Sequence, residues 1–311
     1  MSDNSLQPFS APTPARTEAT LFRLFLEGRS ASTIRAYRSD VEDLADFLST
    51  DSASAIKGLL SNGVGAANEL VLRYRNNLMQ RGMKPASVNR RMATIRSLVA
   101  FARTVGAVDF EIAVRGVRSI PYRDTRGPGT DGVRGMLLQL TRRGDDKAAR
   151  DTALIRLMFD LALRCSEVVT LDVAHVDLAT FCIHVVRKGR SERERLTLPS
   201  PTARSVEAWL AVRRSDPGPL FLNFDRAGKG HRLTTNGVYR IVRQLGLQIG
   251  RKVRPHGLRH AAVTAALTLT NGDVRTVAKF SSHRSIQTVL IYDDNRSDVA
   301  GDVARLVAES I

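Results

Sequence analysis

Residues 255–260 read PHGLRH, a stretch with two histidines four positions apart, His256 and His260, and an arginine between them. Three other short stretches in the second half of the chain carry further polar side chains. They are LALRCSE at 161–167, VRKGR at 186–190 and SSHRSIQTVLIY at 281–292. The candidate catalytic side chains in the four stretches are Arg164, Lys188, His256, Arg259, His283 and Tyr292.

These residue types fit chemistry on a phosphodiester. An attacked phosphodiester gains negative charge on its non-bridging oxygens, and two guanidiniums, here Arg164 and Arg259, can hold those oxygens with a charge that never titrates. A lysine or histidine can protonate the departing sugar oxygen, while the attacking phenol of Tyr292 needs a nearby base. No Cys/His set or carboxylate cluster with metal-ligand spacing lies beside them, so we expect no metal.

The ordered set resembles the tyrosine recombinase (phage integrase) family. The family's first arginine falls on Arg164, and the acidic residue that follows it falls on Glu167. Its hairpin lysine falls on Lys188, between the apolar run FCIHVV and the run RLTLP. The family's H-x-L-R-H box falls on residues 256–260, which end at His260. Its later His/Trp position falls on His283, and its nucleophile falls on Tyr292. The resemblance covers roughly residues 20 to 311.

Two positions depart from the family's usual wording. The residues before Arg164 are Ala162-Leu163 where Gly-Leu is common, and those before His283 are Ser281-Ser282 where Leu-Gly is common. We interpret both as structural positions rather than chemical ones. They bear on the subfamily more than on the activity, because every catalytic side chain is present.

The resemblance implies a DNA-cleaving and DNA-rejoining enzyme that works through a covalent 3′-phosphotyrosyl intermediate on Tyr292. Arg164 and Arg259 are then the charge clamp, Lys188 the leading general acid, and His256 and His283 assist, with Glu167 and His260 in support. The expected partners are double-stranded DNA with paired binding sites and a homotetramer in the synaptic complex. Because the covalent intermediate retains the bond energy, no nucleotide cofactor is expected. A simple recombinase of Xer-like or transposon-associated type is favoured.

Two other functions remain open at this point. A type IB topoisomerase shares the chemistry but relaxes one duplex as a monomer, and strand exchange between duplexes would separate the two. A sequence-specific DNA-binding regulator with an inactive site is the alternative from another class, and covalent trapping would decide it. Taken singly, each residue also has a structural explanation, such as helix capping for Arg164 or a solvated turn for Lys188.

Composition agrees with a polyanionic partner. The 311-residue chain has a formal net charge of +16, and aromatic residues make up only 5% of it, which favours duplex phosphates over stacked single strands. Two cysteines make no disulfide framework, no hydrophobic run is long enough to cross a membrane, and the N-terminus lacks the apolar core of a secretion signal. We therefore expect a cytoplasmic, nucleoid-associated protein.

The hydrophobic pattern predicts a mainly α-helical chain of two domains. Residues 1–19 are a polar tail, 20–110 a helical core DNA-binding (SAM-like) domain of four or five helices, 111–130 a basic linker, and 131–311 a mixed α/β, mostly helical catalytic domain with a small β-sheet around residues 172–199. The periodicity of residues 33–48 predicts a helix capped by Ser32. The expected DNA-binding residues of the first domain are Lys84, Arg90, Arg91 and Arg96. An apolar stripe in residues 301–311 predicts a last helix that packs on its own domain or on a neighbouring protomer.

Overall fold

The protein is described from a computed structural model. The description covers residues 17–118, 127–187, 189–214, 216–225, 228–283, 285–294 and 299–310. The chain divides into two compact units, Met1–Pro121 and Tyr122–Ile311. Each unit is treated by itself below.

The described part of the first unit is built of helices and contains no strand. Its five helices are α1 (Glu18–Leu26), α2 (Ala31–Phe47), α3 (Ser52–Ser61), α4 (Gly63–Gln80) and α5 (Pro85–Thr104). The predicted helical first half is confirmed. One detail is wrong: Ser30, not Ser32, caps α2, because Ser30 has an extended backbone and its hydroxyl accepts the N–H of Thr33 at 3.2 Å.

The core of the first unit contains two buried or partly buried carboxylates of α2. Asp43 accepts the hydroxyl of Tyr74 at 2.5 Å and the guanidiniums of Arg81 and Arg91 at 2.7 and 3.0 Å. Burial alone would raise the pKa of Asp43, but the hydrogen bonds from Arg81 and Tyr74 outweigh it and lower the pKa. Asp40, on the preceding turn, is fully buried and accepts from Arg90 and Thr94. These pairs tie α2 to α4 and α5.

Residues 111–118, at the start of the predicted linker, lie against the first unit. The amide of Asn89 exchanges hydrogen bonds of 2.8 and 2.9 Å with the backbone N–H and C=O of Val117, and Arg96 donates to the carbonyl of Val114 at 3.1 Å. Ile112 is buried in the unit's core. Residues 119–126 of the predicted linker lie outside the described residues.

The second unit combines nine α-helices with a small sheet in the residues described. The helices are α6 (Gly129–Arg143), α7 (Asp146–Asp160), α8 (Cys165–Val169), α9 (Ser200–Arg213), α10 (Thr235–Gln248), α11 (Pro255–Leu269), α12 (Val274–Ser281), α13 (Ile286–Asp294) and α14 (Val299–Ala308), with a 3₁₀ turn at Val173–His175. The last of them confirms the predicted C-terminal helix. None of the helices in the described ranges is both long and apolar enough to cross a membrane.

The sheet has three antiparallel strands in the order β1-β2-β3. They are β1 (Val176–Asp177), β2 (Cys182–Val186) and β3 (Arg193–Thr197). Ile183 pairs with Val176 on one side and Leu196 on the other, and Val185 pairs with Glu194. Ile183 and Val185 are buried in the unit's core and anchor the β2–β3 hairpin there. Together with the helices, this sheet confirms the mainly α fold with a small β element.

The core of the second unit is organised around α7, whose buried face includes Leu154, Leu157 and Met158. Trp209 of α9 is buried beside it and donates its indole N–H to the carbonyl of Leu220 at 2.8 Å. A separate apolar cluster joins α11, α12 and α13, and it contains Tyr292. The two clusters meet along α11, which carries the HGLRH stretch.

Candidate active site

Arg164 is positioned at the turn that precedes α8. Its backbone N–H donates to Glu167 Oε2 at 2.9 Å and its Nη1 donates to Glu167 Oε1 at 2.8 Å, so one carboxylate holds both the main chain and the side chain. Its Nη2 lies 3.4 Å from the carbonyl of Ser282, 118 residues away. The side chain remains 24% exposed, so Arg164 is partly accessible to a ligand.

Both departures from the family's wording fall where the backbone is left-handed. Ala162 has φ +48°, and Ser282, which ends α12, has φ +52°. Glycine adopts this region without the steric cost that a Cβ brings. The usual glycines at these places would serve backbone geometry, which agrees with the interpretation of both as structural positions.

Arg259, on α11, is the most deeply buried of the candidate side chains, at 1% exposure. Its Nη1 donates to the carbonyl of Ala162 and its Nη2 to the carbonyl of Ser281. Burial, and then the positive charge of Arg164, lower the pKa of Arg259 to about 10, so it is still charged at neutral pH. Arg259 therefore joins the loop before Arg164 to the end of α12.

His283 follows α12 and is held between Arg259 and Ser281. Its Nε2 lies 3.3 Å from Arg259 Nη2, and its Nδ1 lies 2.7 Å from Ser281 Oγ, which donates to the carbonyl of Val277 at 2.6 Å. Burial, and then the charges of Arg259 and Arg164, lower the pKa of His283 to about 4. The ring is neutral at physiological pH.

Tyr292 lies on α13 with its ring between two histidines. The ring of His260 meets it edge-on at 4.9 Å between centroids, and the ring of His283 lies 5.9 Å away. The ring of His256, one helical turn before His260 on α11, lies 4.2 Å from that of His260. Desolvation, and then the charges of Arg259 and Arg164, lower the pKa of His256. Tyr292 itself is only 4% exposed, and burial raises its pKa.

The structure thus brings seven of the eight candidates of the second half into one cluster. They are Arg164, Glu167, His256, Arg259, His260, His283 and Tyr292. Lys188 lies outside the described residues. Around the cluster, no group of three or more His, Cys, Asp or Glu side chains in the described ranges could hold a metal ion.

The four candidates of the first unit lie on or at the start of α5. Lys84 is exposed at the helix N-terminus, and the side chain of Arg90 is 46% exposed while it pairs with Asp40. Arg91 and Arg96 are partly buried, and their hydrogen bonds go to Asp43 and to the carbonyl of Val114. Lys84 and Arg90 therefore offer more of their charge to a ligand than the other two.

Sequence reasoning missed Arg187, which immediately precedes Lys188. Its side chain is 2% exposed, and its Nη1 lies 3.3 Å from Glu167 Oε2. Strand alternation contained the signal, because residues 183, 185 and 187 face one side of β2, and the first two are core residues. An arginine at the third such position needs a buried carboxylate, and Glu167 is that carboxylate.

Comparison with known proteins identifies the family of the chain. The phage integrase family matches residues 135–298, and the N-terminal SAM-like domain of phage integrases matches residues 21–106. The chain belongs to the phage integrase family. It is therefore a tyrosine recombinase, an enzyme that cuts and rejoins DNA at specific sites.

Relatives within the phage integrase family cover nearly the whole chain. A tyrosine recombinase of Synechocystis sp. is 35% identical over 296 residues, which is 93% of this chain and 94% of the relative. A tyrosine recombinase of Synechococcus elongatus is 35% identical, with 96% of both chains covered. The tyrosine recombinase XerC of Pseudomonas aeruginosa is 31% identical over 85% of this chain and 84% of its own.

Solved structures share the fold of this phage integrase family member. The XerH site-specific recombinase, in a post-cleavage complex with palindromic difH substrate, matches with a TM-score of 0.69 at 18% identity, covering 92% of this chain and 84% of that one. The Tn1549 transposon integrase, in complex with a circular intermediate DNA, matches with a TM-score of 0.60 at 16% identity, covering 96% and 100%.

Proposed function

We propose that this recombinase uses Tyr292 as its nucleophile on a DNA phosphodiester. The observation that carries the proposal is the packing of the Tyr292 ring against His260 and His283, with His283 bonded to Arg259. The phenolic oxygen would form a bond to phosphorus as the bond to the 5′ oxygen breaks. The product is a 3′-phosphotyrosine and a free 5′-hydroxyl.

The proposed step needs an acceptor for the proton of the phenol and a donor for the departing 5′ oxygen. Burial raises the pKa of Tyr292, so the phenol begins protonated and must transfer its proton as it attacks. We propose that the imidazole pair His256–His260, whose second ring contacts the ring of Tyr292, accepts that proton. Lys188 is proposed to protonate the departing 5′ oxygen.

The two arginines of the cluster would stabilise the charge that develops on the phosphate. Arg259 is fixed by two carbonyls, and Arg164 is fixed by Glu167 with part of its side chain exposed. Because the protein holds both cations before DNA arrives, little reorganisation is needed during the reaction. Attack of a 5′-hydroxyl from a partner strand on the phosphotyrosine would then reverse the step and join the strands.

The proposed substrate is duplex DNA carrying two recombinase sites, brought together by a homotetramer. Support comes from the DNA complexes in which the similar folds of XerH and the Tn1549 integrase were solved, and from the net charge of +16. Similarity to both a Xer recombinase and a transposon integrase agrees with a simple recombinase of either type. With such a substrate, the protein would act at the nucleoid.

Covalent trapping in cells tests the proposal and identifies the target sequence in the same experiment. Cells expressing the wild type or Tyr292→Phe are lysed in denaturant, the protein is purified, and attached DNA is sequenced from its ends. We expect the wild type alone to carry DNA, joined through a 3′ end at one recurrent sequence. Attachment at unrelated sequences would instead indicate topoisomerase-like relaxation, and no attachment in the wild type would indicate a DNA-binding regulator.

A further inference from the structure

Arg187 is a buried cation to which the proposed reaction gives no role. Its side chain is 2% exposed, so it does not reach a DNA ligand directly. It follows β2 on the side of Ile183 and Val185, both buried in the core. An apolar residue there would fill the space without the desolvation of a charge, so burial alone does not account for an arginine.

The partners of Arg187 connect three pieces of the second unit. Its Nη1 lies 3.3 Å from Oε2 of Glu167, which belongs to the Arg164 turn, and its Nε lies 3.5 Å from Oε2 of Glu194 on β3. Its charge also contributes to the lowered pKa of Arg259, after burial and Arg164. Arg187 therefore joins the β2–β3 hairpin to the turn that carries the first arginine of the clamp.

The geometry shows which group this ion pair fixes. Glu167 is already held by the backbone N–H and Nη1 of Arg164, at 2.9 and 2.8 Å. Arg187, at the end of β2, reaches the same carboxylate from the hairpin through its Nη1 at 3.3 Å. The carbonyl of Arg187 accepts the N–H of Arg190 at 3.0 Å, and Gly189 has φ +79°, so a tight turn starts at Arg187.

We infer that Arg187 is a positioning residue: its ion pair with Glu167 fastens the hairpin to the Arg164 turn and thereby sets where Lys188, its neighbour in sequence, meets the scissile phosphate. The inference rests on the proposed function in taking Lys188 to act at that phosphate. It assigns no chemistry to Arg187 itself.

A double-mutant cycle on cleavage rate tests the inference. Full-length wild type, Arg187→Met, Lys188→Ala and the double variant are compared in single turnover, at saturating DNA of the sequence recovered by trapping. Misplacing a catalytic group by about 1 Å slows a reaction on the order of 10²-fold, and we expect that loss in Arg187→Met. If Arg187 acts through Lys188, the double variant cleaves no more slowly than Lys188→Ala. Losses that multiply, or a wild-type rate in Arg187→Met, overturn the inference.

Arg190→Met is the matched control. Arg190 lies in the same turn and its Nη1 is 3.6 Å from the same Glu194 oxygen, but its side chain is 61% exposed. We expect it to cleave at close to the wild-type rate. Thermal unfolding verifies that each variant is folded, and Arg187→Lys, which keeps a charge for Glu167, should recover part of the rate. If Arg187→Met does not fold, the same cycle with Arg187→Lys decides the question.

A substrate with a bridging 5′ sulfur separates this inference from the proposed acid role of Lys188. Sulfur leaves without needing a proton, so both Lys188→Ala and Arg187→Met should regain most of their rate on it. If Lys188→Ala is not rescued, the acid role fails, while the cycle still decides whether Arg187 acts through Lys188. If Lys188→Ala is rescued and Arg187→Met is not, the positioning role is contradicted.

Discussion

Arg259 Nη2 and His283 Nε2 lie 3.3 Å apart, and this contact determines the tautomer of the histidine. A guanidinium only donates, so Nε2 accepts and the ring proton sits on Nδ1, where it is donated to Ser281 Oγ. The hydroxyl of Ser281 in turn donates a hydrogen bond to the carbonyl of Val277. His283 is thus a neutral ring that orients Arg259, and it is not a general acid in the DNA-free protein.

The first prediction concerns the protonation of His283. Its pKa of about 4 lies below the ordinary 6.5, so the folded protein binds fewer protons than the unfolded chain between these values. The contribution of the neutral His283 ring to the free energy of unfolding is therefore complete above about pH 6.5, and it declines as the pH falls toward 4. Long-range ¹H–¹⁵N NMR, with His283→Asn to assign the signal, should show a neutral Nδ1–H ring at pH 5.5. A ring that titrates near pH 6.5 would contradict the assignment.

The second prediction uses the left-handed conformation of Ser282. Glycine relieves a steric cost of about 1–2 kcal/mol there but makes the unfolded chain more flexible, by about 0.4–1 kcal/mol. We expect Ser282→Gly to raise the free energy of unfolding by about 0.5–1 kcal/mol without changing cleavage.

Ser205→Gly is the control for that measurement, because Ser205 lies inside α9 in an ordinary helical conformation. It should lower stability, since glycine is among the poorest helix formers. Thermal unfolding of the two variants should therefore shift in opposite directions. A melting temperature of Ser282→Gly at or below that of the wild type would show that the φ of +52° carries no relievable strain.

The third prediction separates the two arginines. Arg164→Lys and Arg259→Lys should each slow single-turnover cleavage by on the order of 10²–10³, because a lysine does not reproduce the planar fork. Arg259→Lys should also lower the melting temperature more, since it leaves buried carbonyls at Ala162 and Ser281 short of a donor.

Arg156→Lys, a partly buried arginine that pairs with Asp160 on α7, provides the comparison and should cleave normally. If either lysine variant of the clamp cleaves at the rate of Arg156→Lys, that arginine does not contact the phosphate in the transition state.

The fourth prediction concerns salt. Lys84 is exposed at the start of α5, whereas Arg96 donates a hydrogen bond to the carbonyl of Val114. If Lys84 neutralises a phosphate, Lys84→Ala should reduce the slope of log affinity against log salt by about 1, with little change in sequence preference. Lys57→Ala removes a lysine of α3 that is also exposed and should leave the slope unchanged. Equal slopes in Lys84→Ala and wild type would remove Lys84 from the DNA interface.

The sequence was sufficient for the features that depend on local pattern. Apolar spacing located α2 and α5, and β-type runs located the hairpin around residue 188, because periodicity reports which face of an element is buried. Capping was placed two residues late, at Ser32, since Ser30 and Ser32 are both good caps and the backbone decides between them. The order of the motifs identified the candidate side chains of the second unit.

Contacts between distant segments could not be predicted from the pattern. Arg164 meets the carbonyl of Ser282 across 118 residues, and Arg259 meets that of Ala162 across 97. The hydrogen bonds of Arg91 to Asp43 and of Arg96 to the carbonyl of Val114 also join distant segments. So does the ion pair of the buried Arg187 with Glu167. Such contacts depend on how whole elements pack, and a charged residue in sequence gives no sign of whether it faces solvent or a carboxylate.

The claim that Tyr292 is the nucleophile can be tested on the protein itself. The chain has five tyrosines, so the site of attachment can be read directly by mass spectrometry of the digested covalent adduct. Tyr239 of α10 is 38% exposed, whereas Tyr292 is 4% exposed. Tyr239→Phe therefore controls for attachment of DNA to a tyrosine that is simply more accessible. With a nicked substrate of the trapped sequence, we predict a nucleotide on the peptide containing Tyr292, an adduct in Tyr239→Phe, and none in Tyr292→Phe, which still binds the DNA. A denaturant-resistant adduct in Tyr292→Phe, or a nucleotide on any other tyrosine, would contradict the assignment of Tyr292.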